Sequence, residues 1–232
     1  MFDFDEVIDR RAVPALKWHR MVLGQGGEDL FPAGVADMDF RAPPVVRDAL
    51  QARLEHGILG YETWPAALVP ALPRWLATHH GWEVAPEHIL RAPNVLNVLS
   101  IAISVFSAPG DGVIIQPPVF FDFEDVIHEN HREVLHNPLL FENGRYRPDF
   151  EGLEKLAARP EARLLFLCNP HNPVGRVWSR EELSAIDRIC RAHDVLVIAD
   201  EIHADITFSG HAYTPFASLG PAAAANCISA GR

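Results

Sequence analysis

Apolar residues fall along this chain in two kinds of run. The first kind is short, continuous and cut off by polar residues. Leu164-Leu165-Phe166-Leu167-Cys168 passes straight into Asn169-Pro170-His171-Asn172-Pro173-Val174-Gly175, and Val195-Leu196-Val197-Ile198-Ala199 into Asp200-Glu201-Ile202-His203. Such runs suit strands buried on both faces in the middle of a parallel sheet. Two shorter strands are expected at 112–116 and 226–229.

The second kind is spaced for helices. At 44–56, Val45, Val46, Ala49, Leu50, Arg53 and Leu54 form one stripe that Gly57 ends. Residues 94–106 read as a nearly all-apolar helix lying under the sheet, with Asn94 as its cap. A helix at 149–159 is capped by Asp149, and the capping box Ser179…Glu182 opens another that runs to about Ala192. Residues 65–80 have helical composition, but Pro70 and Pro73 are expected to break or kink it.

Strands alternating with helices of this length predict an α/β fold with a mainly parallel sheet. Residues 1–43 carry no long periodic pattern and read as an N-terminal arm or a segment of a small domain, with Gly24-Gln25-Gly26-Gly27 as a joint, ahead of one large domain at 44–232. Within the arm, Ala36-Asp37-Met38-Asp39-Phe40 sets two carboxylates among apolar residues, as an anchored turn would.

Composition narrows the function classes. With 232 residues, 48% of them hydrophobic, the chain can build a substantial core. A net charge of −11 argues against a nucleic-acid or anionic-membrane surface, and no apolar run reaches membrane-spanning length. The acidic start is unlike a signal peptide, and the three cysteines show no paired spacing, as in a cytoplasmic protein. The histidine groups His79-His80 and His128, His131, His136 lack zinc-site spacing.

In an open α/β sheet ligands gather at the carboxyl ends of the strands, where the polar ends of both central runs fall. The proline-rich turn would aim Asn172 at that edge beside Asp200 and His203. The start of the 94–106 helix offers the backbone N–H groups of Val95 and Leu96 to an anion. Phe120, after a strand end, can roof a flat ligand, and Ser229 ends the last strand. A flat, phosphorylated, nitrogen-containing aromatic would use all of these, and pyridoxal phosphate fits, because its ring nitrogen needs an acidic partner.

The order of these motifs resembles the fold-type I pyridoxal-phosphate enzymes of the class I/II aminotransferase superfamily. It is most similar to the branch of cystathionine β-lyases and cysteine-S-conjugate β-lyases. The residues that carry this are Ala36-Asp-Met-Asp-Phe40, Gly60-Tyr61, Pro117-Pro-Val-Phe120, Cys168 through Trp178 and Asp200-Glu-Ile-His203. The resemblance implies a three-layer large domain, incomplete at its C-terminal end and without the small C-terminal domain. It implies a sulfur-containing amino-acid substrate cleaved to thiol, pyruvate and ammonia. It makes Asp200 the partner of the pyridinium nitrogen, Asn172 and His203 partners of the phenolic oxygen, and Phe120 the stacking residue. Val95, Leu96 and Ser229 would hold the phosphate, and Tyr61 would reach the phosphate of a second subunit, which implies a homodimer.

Three departures qualify the resemblance: Asn94 stands at a usual glycine, Phe120 lacks a hydroxyl, and Arg232 falls where the Schiff-base lysine is expected. Arginine stays protonated and cannot act as the amine nucleophile. The chain therefore reads as a truncated, non-competent version of a longer lyase. A class I/II aminotransferase, an inactive cofactor-binding or dimerising remnant, and a metallohydrolase built on Asp200, Glu201, His203 and Asp205 are the other readings.

Overall fold

The computed structural model describes residues 3–20, 30–34, 36–61 and 63–231. The glycine joint at 24–27 and Arg232 lie outside the described residues. The chain divides into two compact units, Met1–Thr63 and Trp64–Arg232.

In the first unit, helix α1 (Pro44–His56) begins on a proline and stops where Gly57 adopts φ 74°, its N–H returning to the Leu54 carbonyl at 3.0 Å. The two carboxylates of the 36–40 stretch anchor this unit. Arg10 bridges Asp37 at 2.8 Å and Asp39 at 2.7 Å, and the Lys17 Nζ reaches Asp39 at 2.6 Å. Hydrogen bonds from Lys17 and then Arg10 hold the Asp39 carboxyl down at about 2.

The second unit opens with α2 (Leu68–His80). The expected break does not occur. The helix starts late enough that Pro70 falls in its first turn, where an N–H has no intrahelical acceptor, and Pro73 removes one bond without ending it. Helix α3 (Val95–Phe106) follows its Asn94 cap. It buries Leu99, Ala102 and Ile103 on one side, while Ile101, Val105 and Phe106 remain exposed. Its apolar composition therefore overstated its burial.

Strand β1 (Gly112–Ile115) is fully buried. Helix α4 (Asp122–Glu129), strand β2 (Glu133–His136) and the hairpin of β3 (Leu140–Glu142) with β4 (Arg145–Arg147) fill a stretch without a predicted element. Each of these strands spans only three or four residues, too short to establish a period. Then come α5 (Phe150–Ala157), capped by Asp149, β5 (Ala162–Cys168), α6 (Arg180–Ala192) with its capping box formed, and β6 (Leu196–Asp200). The short helix α7 (Pro221–Ala225) leads into β7 (Cys227–Ala230).

The main sheet has the order β2-β1-β5-β6-β7, and every pair in it is parallel. Side chains alternate across it as the pleat requires. Leu164, Phe166, Cys168 and Ile198 pack with α3 and α4, whereas Leu165, Leu167, Val197 and Ala199 pack with α5 and α6. Three layers result, in an α/β arrangement. Each fully buried Leu, Ile or Phe of these two cores contributes roughly 1.5–3 kcal/mol by leaving water.

The chain moves from β1 outward to β2, then returns to β5 on the other side of β1 and proceeds to β6 and β7. The direction of winding thus reverses between β1 and β5. In doubly wound sheets the crevice beyond the carboxyl ends at such a switch point is where ligands bind. Among the described residues, no helix is long and apolar enough to cross a membrane.

Candidate functional site

The loops that leave β1, β5 and β6 meet around that crevice, because their strands are neighbours. Cys168 at the end of β5 pairs with Asp200 at the end of β6, and the Asn169 N–H donates to the Asp200 carbonyl at 2.9 Å. The 169–175 turn therefore starts beside Asp200.

Asp200 is 5% exposed, and strand alternation turns it toward the α3 layer with Ile198. Among the described residues its carboxylate accepts one hydrogen bond, from the Ile202 N–H at 3.1 Å. Burial pushes its pKa above the ordinary carboxylate value, and the Ile202 bond and the nearby His203 draw it partly back. A buried carboxylate with so few partners is suited to a cationic N–H. His203 follows in the turn beyond β6, half-buried, its carbonyl accepting the Ile206 N–H at 2.9 Å.

Asn172 is half-buried in the turn after β5. Its backbone N–H points to the Cys168 sulfur at 3.4 Å, while its side-chain amide has no hydrogen bond among the described residues. The turn is closed by His171, whose N–H and carbonyl bond Arg176 and Gly175 at 2.8 and 2.9 Å, with Gly175 at φ 69°.

Val95 and Leu96 occupy the first turn of α3, partly buried against the same core as Asp200's strand. The Asn94 side chain accepts the Asn97 N–H at 2.9 Å, so that donor is spent, but α3 itself supplies no acceptor for Val95 or Leu96. Their N–H groups, with the helix dipole, leave an anion site on that face. Phe120 stands half-buried after β1, its ring 5.3 Å from Phe121 and 5.9 Å from Phe123. Phe121 is largely exposed.

Ser229 is not brought to this place. Ile228 faces the α3 layer, so Ser229 turns to the other side of the sheet, and its hydroxyl hydrogen-bonds Glu201. A phosphate held at the start of α3 would not meet it. Tyr61 lies in the first unit, fully exposed.

Glu201 forms a second buried acid, 4% exposed. It takes the Phe216 N–H at 2.8 Å and hydrogen bonds from Tyr213 and Ser229, and burial pushes its pKa up to about 7. Asp205 is drawn elsewhere, to His80 Nε2 at 2.8 Å and Trp75 Nε1 at 3.2 Å. Glu201 and Asp205 thus do not converge with Asp200 and His203, and among the described residues no group of His, Cys, Asp and Glu is placed to hold a metal. The metallohydrolase reading fails on this geometry.

The sequence pattern also gave no role to the residues that brace the turn. Asn169 is wholly buried, donating to the Thr214 carbonyl at 3.1 Å and accepting the Trp178 N–H at 3.2 Å. Trp178, wholly buried, donates Nε1 to the Cys168 carbonyl at 2.9 Å, and Arg176 covers its ring at 4.4 Å. A tryptophan shortly after a proline-rich turn is the local signal for this brace, whereas the bond from Asn169 to Thr214, 45 positions on, is not written locally.

A buried acid with an open valence, a free amide, an aromatic and a helix start border one sheet edge. They fit a flat ring with a protonated nitrogen, an oxygen substituent and an anionic tail. A family description, aminotransferase class I and II, matches residues 29–229. The chain belongs to the aminotransferase class I and II family.

Relatives of known name sharpen the placement within this family. The chain is 46% identical over 217 residues to cystathionine beta-lyase PatB of Bacillus subtilis, and 33% identical over 220 residues to protein MalY of Escherichia coli. Each match takes in 94% of this chain and 56% of the relative, so the chain spans just over half the length of the relatives it matches. Among solved structures, cystalysin of Treponema denticola, which contains pyridoxal 5'-phosphate, is 34% identical with a TM-score of 0.92. The pyridoxal-phosphate-bound C-S lyase of Staphylococcus hominis is 32% identical with a TM-score of 0.87. These two cover 99% of this chain and 59% and 58% of their own chains, respectively.

Proposed function

We propose that this chain supplies the cofactor-binding region of a pyridoxal-phosphate-dependent carbon–sulfur β-lyase. The observation that carries the proposal is the buried Asp200 carboxylate, turned to the α3 layer at the end of β6 with a single backbone donor. Asp200 would accept a hydrogen bond from the protonated ring nitrogen, and its negative charge would keep that nitrogen cationic. Asn172 would donate its free amide to the phenolic oxygen with His203 beside it, Phe120 would cover one ring face, and the Val95 and Leu96 N–H groups would take the phosphate. Pyridoxal phosphate, when bound, supplies the electron sink that makes an amino acid's Cα–H acidic and lets a β-thiolate depart.

The sulfur-containing amino-acid substrate is inferred from the names of the relatives. A homodimer in which Tyr61 serves the partner's phosphate and a cytoplasmic location belong to the same proposal. Free Cys168, Cys190 and Cys227 support a reducing compartment.

The test is to titrate the chain with pyridoxal phosphate, follow its visible absorption, and then add cystathionine. Saturable uptake is expected, removable by desalting after borohydride because no lysine stands at Arg232. No turnover of cystathionine is expected with Arg232 in the lysine position, whereas in an Arg232→Lys variant thiol and pyruvate in equal amounts would support the lyase. A keto acid matched by a new amino acid would support an aminotransferase instead, and no uptake would overturn the proposal.

A further inference from the structure

The two loops that border the switch point are tied together by one buried imidazole. The loop after β1 carries Phe120, and the turn after β5 carries Asn172. His171, immediately before Asn172, is 2% exposed, and its Nε2 lies 2.9 Å from the carbonyl of Pro118, two residues before Phe120. A carbonyl only accepts, so Nε2 carries the proton and donates it. Burial pushes the His171 pKa below its ordinary value, which keeps the ring neutral, and the Pro118 carbonyl holds the remaining proton on Nε2.

The imidazole has little freedom to move. Its ring meets Trp178 edge-on, with centroids 5.1 Å apart, and Trp178 is itself fixed by the Cys168 carbonyl and by Arg176. Among the described residues, this is the only hydrogen bond between residues 116–121 and 169–176. Pairing of β1 with β5 fixes where the two loops begin, and beyond the strand ends the His171–Pro118 bond is the directional contact that sets their spacing.

We propose that His171 is a positioning residue for the ring-binding site. Its Nε2–H bond to Pro118 sets the spacing of Phe120 and Asn172, so that an aromatic face and an amide edge can grip one flat ring. The inference rests on the pyridoxal-phosphate reading above and adds to it a residue that touches neither cofactor nor substrate.

The experiment is an equilibrium titration of the 232-residue chain with pyridoxal phosphate, read by affinity and by the visible circular-dichroism band of the bound ring. Wild type, His171→Phe and His171→Gln are compared below their measured unfolding midpoints. His171→Phe, which keeps a ring but has no donor, is expected to weaken binding by about tenfold or more and to change the band at saturation. His171→Gln, whose amide can still donate, is expected to stay within about threefold of wild type with the band retained. His171→Asn, too short to reach Pro118, replaces the phenylalanine variant if that one does not fold. A folded donor-less variant with wild-type affinity and band would overturn the inference, even if its melting temperature fell, because the role would then be structural alone. Wild-type chain that takes up no pyridoxal phosphate would instead overturn the functional reading, and this inference with it.

Discussion

Asp200 and Glu201 are consecutive acids, both nearly excluded from solvent, at the end of one strand, yet they do opposite things. Asp200 turns to the α3 layer and keeps a single backbone donor. Glu201 turns to the α6 layer, where the Phe216 N–H, Tyr213 and Ser229 satisfy it. The pleat alone separates them: successive side chains of an extended chain point to opposite faces. The comparison shows how to tell a site acid from a structural one. Burial is common to both, and what differs is whether the protein itself completes the carboxylate's hydrogen bonds.

The largest effect is expected at the incomplete acid. Asp200→Ala should weaken pyridoxal-phosphate binding by about a hundredfold or more, since removing one partner of a buried charged pair costs about 2–5 kcal/mol. Asp200→Asn should lose affinity similarly while raising the unfolding midpoint, because it relieves a buried charge. A variant that binds the cofactor normally would remove the distinction between the two acids.

At the completed acid the expected signature is in stability. The Glu201 pKa is raised from 4.5 to about 7. The folded state therefore binds the proton more tightly than the unfolded one, and stability falls as pH rises from about 4.5 through about 7. The full difference is on the order of 3 kcal/mol. Urea unfolding at pH 5 and pH 8 should show that loss in wild type, and Glu201→Gln should flatten it. Equal stability at the two pH values in wild type would contradict the buried state of Glu201.

The smallest effect sharpens the comparison most. Ser229→Ala should cost about 1 kcal/mol of stability through the lost bond to Glu201, with pyridoxal-phosphate affinity unchanged within about twofold. A large loss of affinity would place Ser229 with the phosphate after all, and the two faces would not be separate in function.

Much of this molecule was legible along the chain. The apolar runs at 164–168 and 195–199 are strands of the central sheet, Gly57 ends α1, Asn94 and Asp149 cap their helices, and Ser179 with Glu182 forms the capping box. Asp200 and Asn172 fall at adjoining strand ends, as the motifs indicated. Less was legible between β1 and α5, where elements are short and gain stability from neighbours rather than from their own pattern.

The sequence by itself determined the capped ends at Gly57, Asn94, Asp149 and Ser179, the buried central strands and the polar residues that follow them, because capping and hydrophobic runs are settled within a few residues. Tertiary structure alone decided that the winding reverses between β1 and β5, that Ser229 faces Glu201 rather than the start of α3, and that His171 joins the turn of Asn172 to the loop of Phe120. Each of these depends on which strands pair and in what register, and those contacts join residues tens of positions apart.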